Sequence, residues 1–228
     1  MNLIKDFFYL FYPNICANCS EQLLQNAKVI CTFCRHDLPL TNFNSYTENK
    51  VIAIFFGRIT IQKAYSLLFF RKESITKNLI HDLKYRGNEA VGVFFGNWLG
   101  EILAQNKEFS NVDFIIPVPI HSKKKKIRGY NQLTKFGKCL STHLNIPFIE
   151  NVLIRQSSIK TQTLKARFER FNDLETKFSL TDTVMFKNKH ILIIDDIITT
   201  GATLEACAIA LSKTSSIKIS ILTMAYTE

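Results

Sequence analysis

Two groups of residues in this 228-residue sequence have types and spacings that could do chemistry. The first is Cys16, Cys19, Cys31 and Cys34, in the pattern C-x₂-C-x₁₁-C-x₂-C. Each C-x-x-C turn can offer two thiolates to one ion at about 2.3 Å, and the intervening residues can fold back to complete a tetrahedron. The pattern predicts a structural Zn²⁺ with every coordination position filled, a staple for a segment too small to have its own core. A disulfide framework is the competing reading, disfavoured where thiols stay reduced. His36 could replace a thiolate, but beside four cysteines it reads as a surface residue. The second group is ILIIDDIITTGATL, residues 191–204. A buried apolar strand ends in Asp195 and Asp196, a loop of Thr199, Thr200, Gly201, Ala202 and Thr203 follows, and then a helix begins. Ligands of open α/β sheets bind outside the carboxyl ends of the strands. Gly201 lets backbone approach a ligand closely, and helix-start N–H groups with the Thr hydroxyls supply donors for an anion. The loop is therefore built to cradle a phosphate. The paired carboxylates call for hydroxyl or cation partners, which a ribose alongside Mg²⁺ would provide. A generic strand-turn-helix junction with capping threonines is the alternative.

Lys+Arg number 29 and Asp+Glu 19, a formal charge of +10, and 46% of residues are hydrophobic. That composition supports a packed core and excludes a mainly disordered chain. The length suits one domain plus a small appendage. No stretch reaches the roughly 20 uninterrupted apolar residues of a membrane span. The start, MNLIKDFFYLFYP, places Asp6 within its apolar run and offers no small-residue cleavage site, so no secretory signal is read there and a cytoplasmic location is expected. Cys139 and Cys207, isolated in apolar helical patterns, read as small core residues.

The elements that must position these groups follow from periodicity. Apolar residues at helical spacing predict a helix over 2–12, stopped by Pro13, before the cysteine turns at 14–38. Strands are expected at 51–56 (VIAIFF), 64–70, 113–119, near 147–153, at 190–195 and at 217–225. Helices are expected at 74–86, 89–105, about 130–143 and 202–213. Wholly apolar strands separated by amphipathic helices predict a parallel sheet covered on both faces. Five cations among Lys123, Lys124, Lys125, Lys126 and Arg128 predict a phosphate-seeking loop after the strand DFIIPVP, or a merely solvated lysine run. Lys84 and Arg86 close a helix with cations at its favoured end.

The segment 191–204 resembles the phosphoribosyl pyrophosphate (PRPP) motif of the type I phosphoribosyltransferases: four hydrophobic residues, two acids, two hydrophobic residues, then x-T-G-x-T. That resemblance implies a doubly wound, mostly parallel α/β fold. It also implies that Asp195 and Asp196 contact ribose hydroxyls, that Thr199, Thr200, Gly201, Ala202 and Thr203 bind the 5′-phosphate, and that Mg²⁺ accompanies PRPP. The lysine loop, with Arg128, then resembles the fold's pyrophosphate loop, with nucleic-acid backbone contact as its other role. Arg155, Lys160, Lys165, Arg167 and Arg170 fall where the fold's mobile catalytic loop would sit, or form a charged solvated helix.

Four further segments stand with that motif in order along the chain. They are the four-Cys knuckle, LIHDLKYRGN (79–88), PVPIHSKKKKIRGYNQ (117–132) and TQTLKARFERFN (161–172). Together they resemble the competence protein F (ComF/GntX-like) family. This resemblance implies a zinc module over 1–45, a phosphoribosyltransferase-like domain over 46–228, and a role in natural transformation with single-stranded DNA and cytosolic competence machinery as partners. Whether such a chain transfers ribose 5-phosphate from PRPP to an acceptor, or keeps the pocket only to bind, stays open at this point. No segment announces an acceptor. A zinc-finger transcription factor is excluded, because no basic recognition helix adjoins the knuckle.

Overall fold

The computed structural model describes residues 13–24, 27–155 and 178–228. The helix expected over 2–12 and the basic residues Lys160, Lys165, Arg167 and Arg170 lie outside the described residues. Two short helices come first, α1 (Thr32–His36) and α2 (Lys50–Ala53). The main sheet holds β1 (Ala64–Phe70), β2 (Phe114–Pro117), β5 (His190–Ile198) and β6 (Lys218–Thr227) in the order β1-β6-β5-β2, every pair parallel. Parallel neighbours need long crossovers, and the chain supplies helices for them. These are α3 (Ile75–Tyr85) and α4 (Ala90–Asn106) between β1 and β2, α5 (Ser122–Arg128) and α6 (Leu133–Leu144) after β2, and α7 (Ala202–Ser212) between β5 and β6. A separate antiparallel pair joins β3 (Leu153–Arg155) to β4 (Phe178–Leu180).

Helices lie on both faces of β5, which is why HILIIDDII is apolar nearly throughout. Side chains alternate across a strand. Asp196 therefore faces the side of α3 and α6, where Lys84 and Gln132 meet it, while Asp195 faces α7, where its charge bears on the buried Cys207 thiol. Helix α4 crosses close against α6 at a glycine seam. A Cβ on Gly96 would lie 2.6 Å from Cys139 Cβ, and one on Gly100 would lie 2.6 Å from His143 Cδ2. The chain leaving the cysteines pairs along the outer edge of β1, with Thr41 N donating to Leu67 O at 2.9 Å and Phe69 N to Pro39 O at 2.8 Å. This covers an edge that would otherwise be open to strand addition.

Four expectations change. VIAIFF is not a strand: it forms α2 and the turns after it. The Asn49 side chain caps that helix, accepting from Val51 N at 2.9 Å and Ile52 N at 3.1 Å. Val51 and Phe55, four residues apart, are the buried pair, so the helical spacing prevails over the β-branched composition. The lysine run is not a loop but helix α5, because lysine is a good helix former and His121 Nδ1 caps it by accepting from Lys123 N at 3.2 Å. Gly129, at φ +78, ends α5, and the following helix begins only at Leu133. Near 147–153 only Phe148 joins the main sheet, through a single bridge to Ile115. Finally, β5 runs on past both acids to Ile198, which pairs with Tyr226, so Asp195 and Asp196 sit within the strand.

Candidate functional site

The four cysteines converge. Their Sγ atoms all lie within 4.8 Å of one another, and Cys19 and Cys31 are 3.7 Å apart. A tetrahedron with metal–sulfur bonds of about 2.3 Å has edges of about 3.8 Å, so the donor set fits a four-coordinate soft cation. All four thiols are free of disulfides. Donors orient them: Cys31 N reaches Cys16 Sγ at 3.4 Å, Cys34 N reaches Cys31 Sγ at 3.5 Å, and Asn18 Nδ2 reaches Cys34 Sγ at 3.2 Å. Burial pushes the Cys34 thiol up to about 12, while at Cys16 the backbone N–H groups of Cys19, Cys31 and Asn18 outweigh burial and hold it down to about 7. Asn18 Oδ1 also accepts from Asn78 Nδ2 on α3 at 2.9 Å, tying the cluster to the sheet domain. His36 is exposed and pairs with Asp37, away from the cysteines.

The strand-end loop sits at the carboxyl edge of β5. Gly201 has φ +74, a left-handed conformation that disfavours a side chain, and a Cβ there would lie 2.7 Å from Ile54 Cγ2. The turn after α2 thus presses on the loop from one side. Arg58 Nη1 donates to Ile54 O at 3.1 Å and to Thr200 O at 3.0 Å, and its Nη2 pairs with Glu205 on α7. These contacts tie the Thr200 carbonyl of the loop to the turn after α2 and to α7. Ala202 N donates to Thr200 Oγ1 at 3.4 Å, whereas the Thr200 and Gly201 amides donate to none of the described residues. Thr199, Thr200 and Thr203 are exposed. A small cavity of about 40 Å³ is lined by Asp195, Thr199, Thr200, Gly201 and Thr203, among others, but not by Asp196.

The two acids therefore do different things. Asp195 reaches the surface in part at the loop cavity while its carboxyl lies deep. Burial, then the neighbouring Asp196 charge, pushes that carboxyl up to about 8 against the opposing pull of Asp196 N–H and Lys84. Its Oδ1 accepts from Asp196 N at 2.8 Å. Asp196 is 4% exposed and already satisfied: Lys84 Nζ lies 2.6 Å from Oδ1, and Gln132 Nε2 donates to Oδ2 at 2.8 Å. In the basic helix α5, Lys123, Lys124, Lys125 and Lys126 are exposed, while Arg128 turns inward to donate to Gln132 Oε1 at 2.8 Å and stacks 5.1 Å over the Tyr85 ring. Arg155 is exposed on β3 and stacks over Phe178. The structure thus brings Asp195 together with the Thr199–Thr203 loop, and turns Asp196 away from that loop. Lys84, Gln132 and Arg58 carry roles the sequence reading did not give them. For Lys84 and Gln132 the signal lay only in the polar runs KYRGN and RGYNQ, and for Arg58 the sequence carried none.

An α/β protein with a parallel sheet, an anion-ready loop at a strand's carboxyl end and a four-cysteine knuckle is the class these observations define. No family model matches the chain. It is 35% identical over 100 residues to competence protein F of Haemophilus influenzae, covering 43% of this chain and 44% of that protein. It is 32% identical over 134 residues to DNA utilization protein YhgH of Escherichia coli O157:H7, covering 57% and 58%. To competence protein ComFC of Bacillus subtilis it is 28% identical over 134 residues, covering 58% and 51%. The resemblance to the competence protein F family carried by the sequence motifs is thus met by relatives named for competence and for DNA utilization, and the chain spans about half of their length. Similar solved structures include glutamine PRPP amidotransferase of Bacillus subtilis, at 19% identity and TM-score 0.40 over 57% of this chain and 26% of that one. Adenine phosphoribosyltransferase of Leishmania tarentolae matches at 13% identity and TM-score 0.38 over 67% and 76%.

Proposed function

We propose that this chain binds a ribose phosphate of the PRPP type through Asp195 and the Thr199–Thr203 loop, and handles incoming single-stranded DNA in natural competence. One observation carries the ligand reading: ahead of a helix N-terminus, beside a deep carboxylate, the Thr200 and Gly201 amides donate to none of the described residues. A sugar phosphate offers acceptors for the amides and hydroxyls for the acid. Mg²⁺ accompanies the diphosphate of PRPP. The exposed Lys123–Lys126 face supplies contacts to a diphosphate or to a nucleic-acid backbone, and the net charge of +10 suits that partner. The relatives named for competence and DNA utilization support the DNA role. The cysteine cluster holds a structural Zn²⁺ and closes the module over 1–45 against the domain over 46–228. The cytoplasm, with the competence machinery, is the proposed location. Among the described residues no helix is long and apolar enough to cross a membrane.

Mg²⁺-PRPP at about a hundredfold excess over its Kd should raise the melting temperature by about 5 °C or more, and Asp195→Asn should remove most of that shift. An equal shift in both proteins overturns the ligand reading. Single-stranded DNA affinity should fall with salt, and converting Lys123–Lys126 to Gln should lower the salt slope by about three units; a flat salt response overturns the DNA reading. A carboxyl held near neutrality in such a site also favours a second reading, transfer of ribose 5-phosphate from PRPP to an acceptor with Asp195 as a proton-handling group. Pyrophosphate released from PRPP in the presence of a base would support transfer; none across purines and pyrimidines, with PRPP bound, would leave the binding role.

A further inference from the structure

The asymmetry of the acid pair bears on which cation it accepts, and this inference deepens the sugar-phosphate reading on which it rests. Both oxygens of Asp196 are committed, Oδ1 to Lys84 Nζ at 2.6 Å and Oδ2 to Gln132 Nε2 at 2.8 Å. The partners are themselves held. Arg128 Nη1 donates to Gln132 Oε1 at 2.8 Å, which orients the amide so that its NH₂ faces the carboxylate. The Tyr130 hydroxyl donates to the carbonyl of Leu83, the residue before Lys84. Segments 83–85 and 128–132, far apart in sequence, therefore close on one carboxylate. Lys84 keeps 21% of its side chain exposed, against 6% for Asp196, so the pair is mostly buried.

A hard divalent cation is held by several oxygen donors on one side of the ion. Here strand alternation sends the neighbouring acids to opposite faces of β5, and one already has an ammonium at contact distance. Among the described residues the cysteine cluster is the one group of three or more His, Cys, Asp or Glu gathered as metal ligands. The acid pair does not fit an Mg²⁺ held by the protein itself.

We propose that Lys84 is a tethered counter-ion standing in the place of a divalent cation at the acid pair. A sugar phosphate entering the loop then meets the carboxyl of Asp195, whose Oδ1 alone is committed, to Asp196 N at 2.8 Å, and any Mg²⁺ it brings is held by its own phosphates. Lys84 is on this account a positioning residue: it fixes and neutralises Asp196 without touching the ligand.

Mn²⁺ binding, counted from the spectrum of the free ion in electron paramagnetic resonance, tests this on the full zinc-replete chain with no sugar phosphate added. Wild type should hold no Mn²⁺ that Asp196→Asn abolishes. Lys84→Met, which leaves the Asp196 carboxylate without its counter-charge, should gain a site at least about tenfold tighter than any in wild type, and Lys84→Met with Asp196→Asn should lose it. Wild-type Mn²⁺ binding that depends on Asp196 overturns the proposal, as does Lys84→Met without a gain. Lys84→Gln serves if the methionine variant does not fold, and the wild-type comparison decides by itself. Because only the metal is added, failure here leaves PRPP binding standing, and failure of the PRPP shift leaves the Mn²⁺ result to be read alone.

Discussion

The cysteine knuckle and the acid pair are both gatherings of acidic groups, and the chain accommodates them in opposite ways. In the knuckle four sulfurs converge within 4.8 Å, with N–H donors aiming them at a common centre. Such a set fits a four-coordinate soft cation from solution. In the acid pair the strand separates the two carboxylates, and Lys84 neutralises one of them from within the protein. With an ion bound, the first arrangement would have all four positions filled by sulfur. The second leaves one acid and a short run of amides open. What would supply the counter-charge, an ion or a residue, is the difference between a proposed staple and a proposed binding site.

The largest expected effect breaks the closed half. Cys34→Ser should release the metal and unfold residues 13–41 locally, because in small zinc modules metal binding supplies about 10 kcal/mol of apparent folding free energy. Hydrogen exchange should show protection lost there and kept in β5 and β6. Protection retained in the knuckle of a metal-free Cys34→Ser variant would mean that packing, not the ion, holds it.

The next effect sharpens the open half. Asp195 moves from 3.8 unfolded to about 8 folded, so between those values the native state keeps a proton that the unfolded state has released. Stability should therefore fall as pH rises through that window, by up to about 1.4 kcal/mol per pH unit from this group. Denaturant titrations from pH 5 to pH 8 should show a shallower decline for Asp195→Asn than for wild type. Equal slopes would show that Asp195 is not the group held protonated, and would remove the asymmetry between the two acids.

Much of this architecture was legible in the sequence, for physical reasons. The apolar runs of β5 and β6 could only be strands buried on both faces, and the paired C-x-x-C spacing is that of a four-ligand metal site. VIAIFF was misleading because its β-branched composition masked the four-residue spacing of Val51 and Phe55, and because the Asn49 cap precedes it at a distance a strand reading ignores. In the lysine run the charge pattern points to a loop, whereas the helix propensity of lysine and the His121 cap decide the helix. Lys84 was the deeper miss. As the cation at the end of α3 its local role was sufficient, and nothing in the chain shows that the same turn lies against Asp196, more than a hundred residues on. Segments that touch only through tertiary packing leave no periodic trace. The acids' adjacency in sequence likewise suggested joint action, whereas adjacency within a strand means opposite faces.

The smallest effect tests why the two regions bind by different atoms. In the knuckle the binding atoms are side-chain sulfurs, so a backbone position such as Ser20, already left-handed at φ 63, should accept Ser20→Ala with the metal retained. In the loop the proposed binding atoms are backbone N–H groups, so a residue contributing no side chain still matters. Gly201→Ala adds one methyl group, which would meet Ile54 Cγ2 at 2.7 Å and sit at φ +74. The conformational cost is about 1–2 kcal/mol, and the clash pushes the loop away from the α2 turn that Arg58 clamps to it. The expected result is a melting temperature lowered by a few degrees, about 2–4 °C per kcal/mol, with the PRPP-induced shift reduced beyond that loss. Gly201→Ala behaving like Ser20→Ala, with stability and ligand shift both intact, would mean that the loop's backbone is not the binding element and that the side chains of Thr199, Thr200 and Thr203 carry the anion instead.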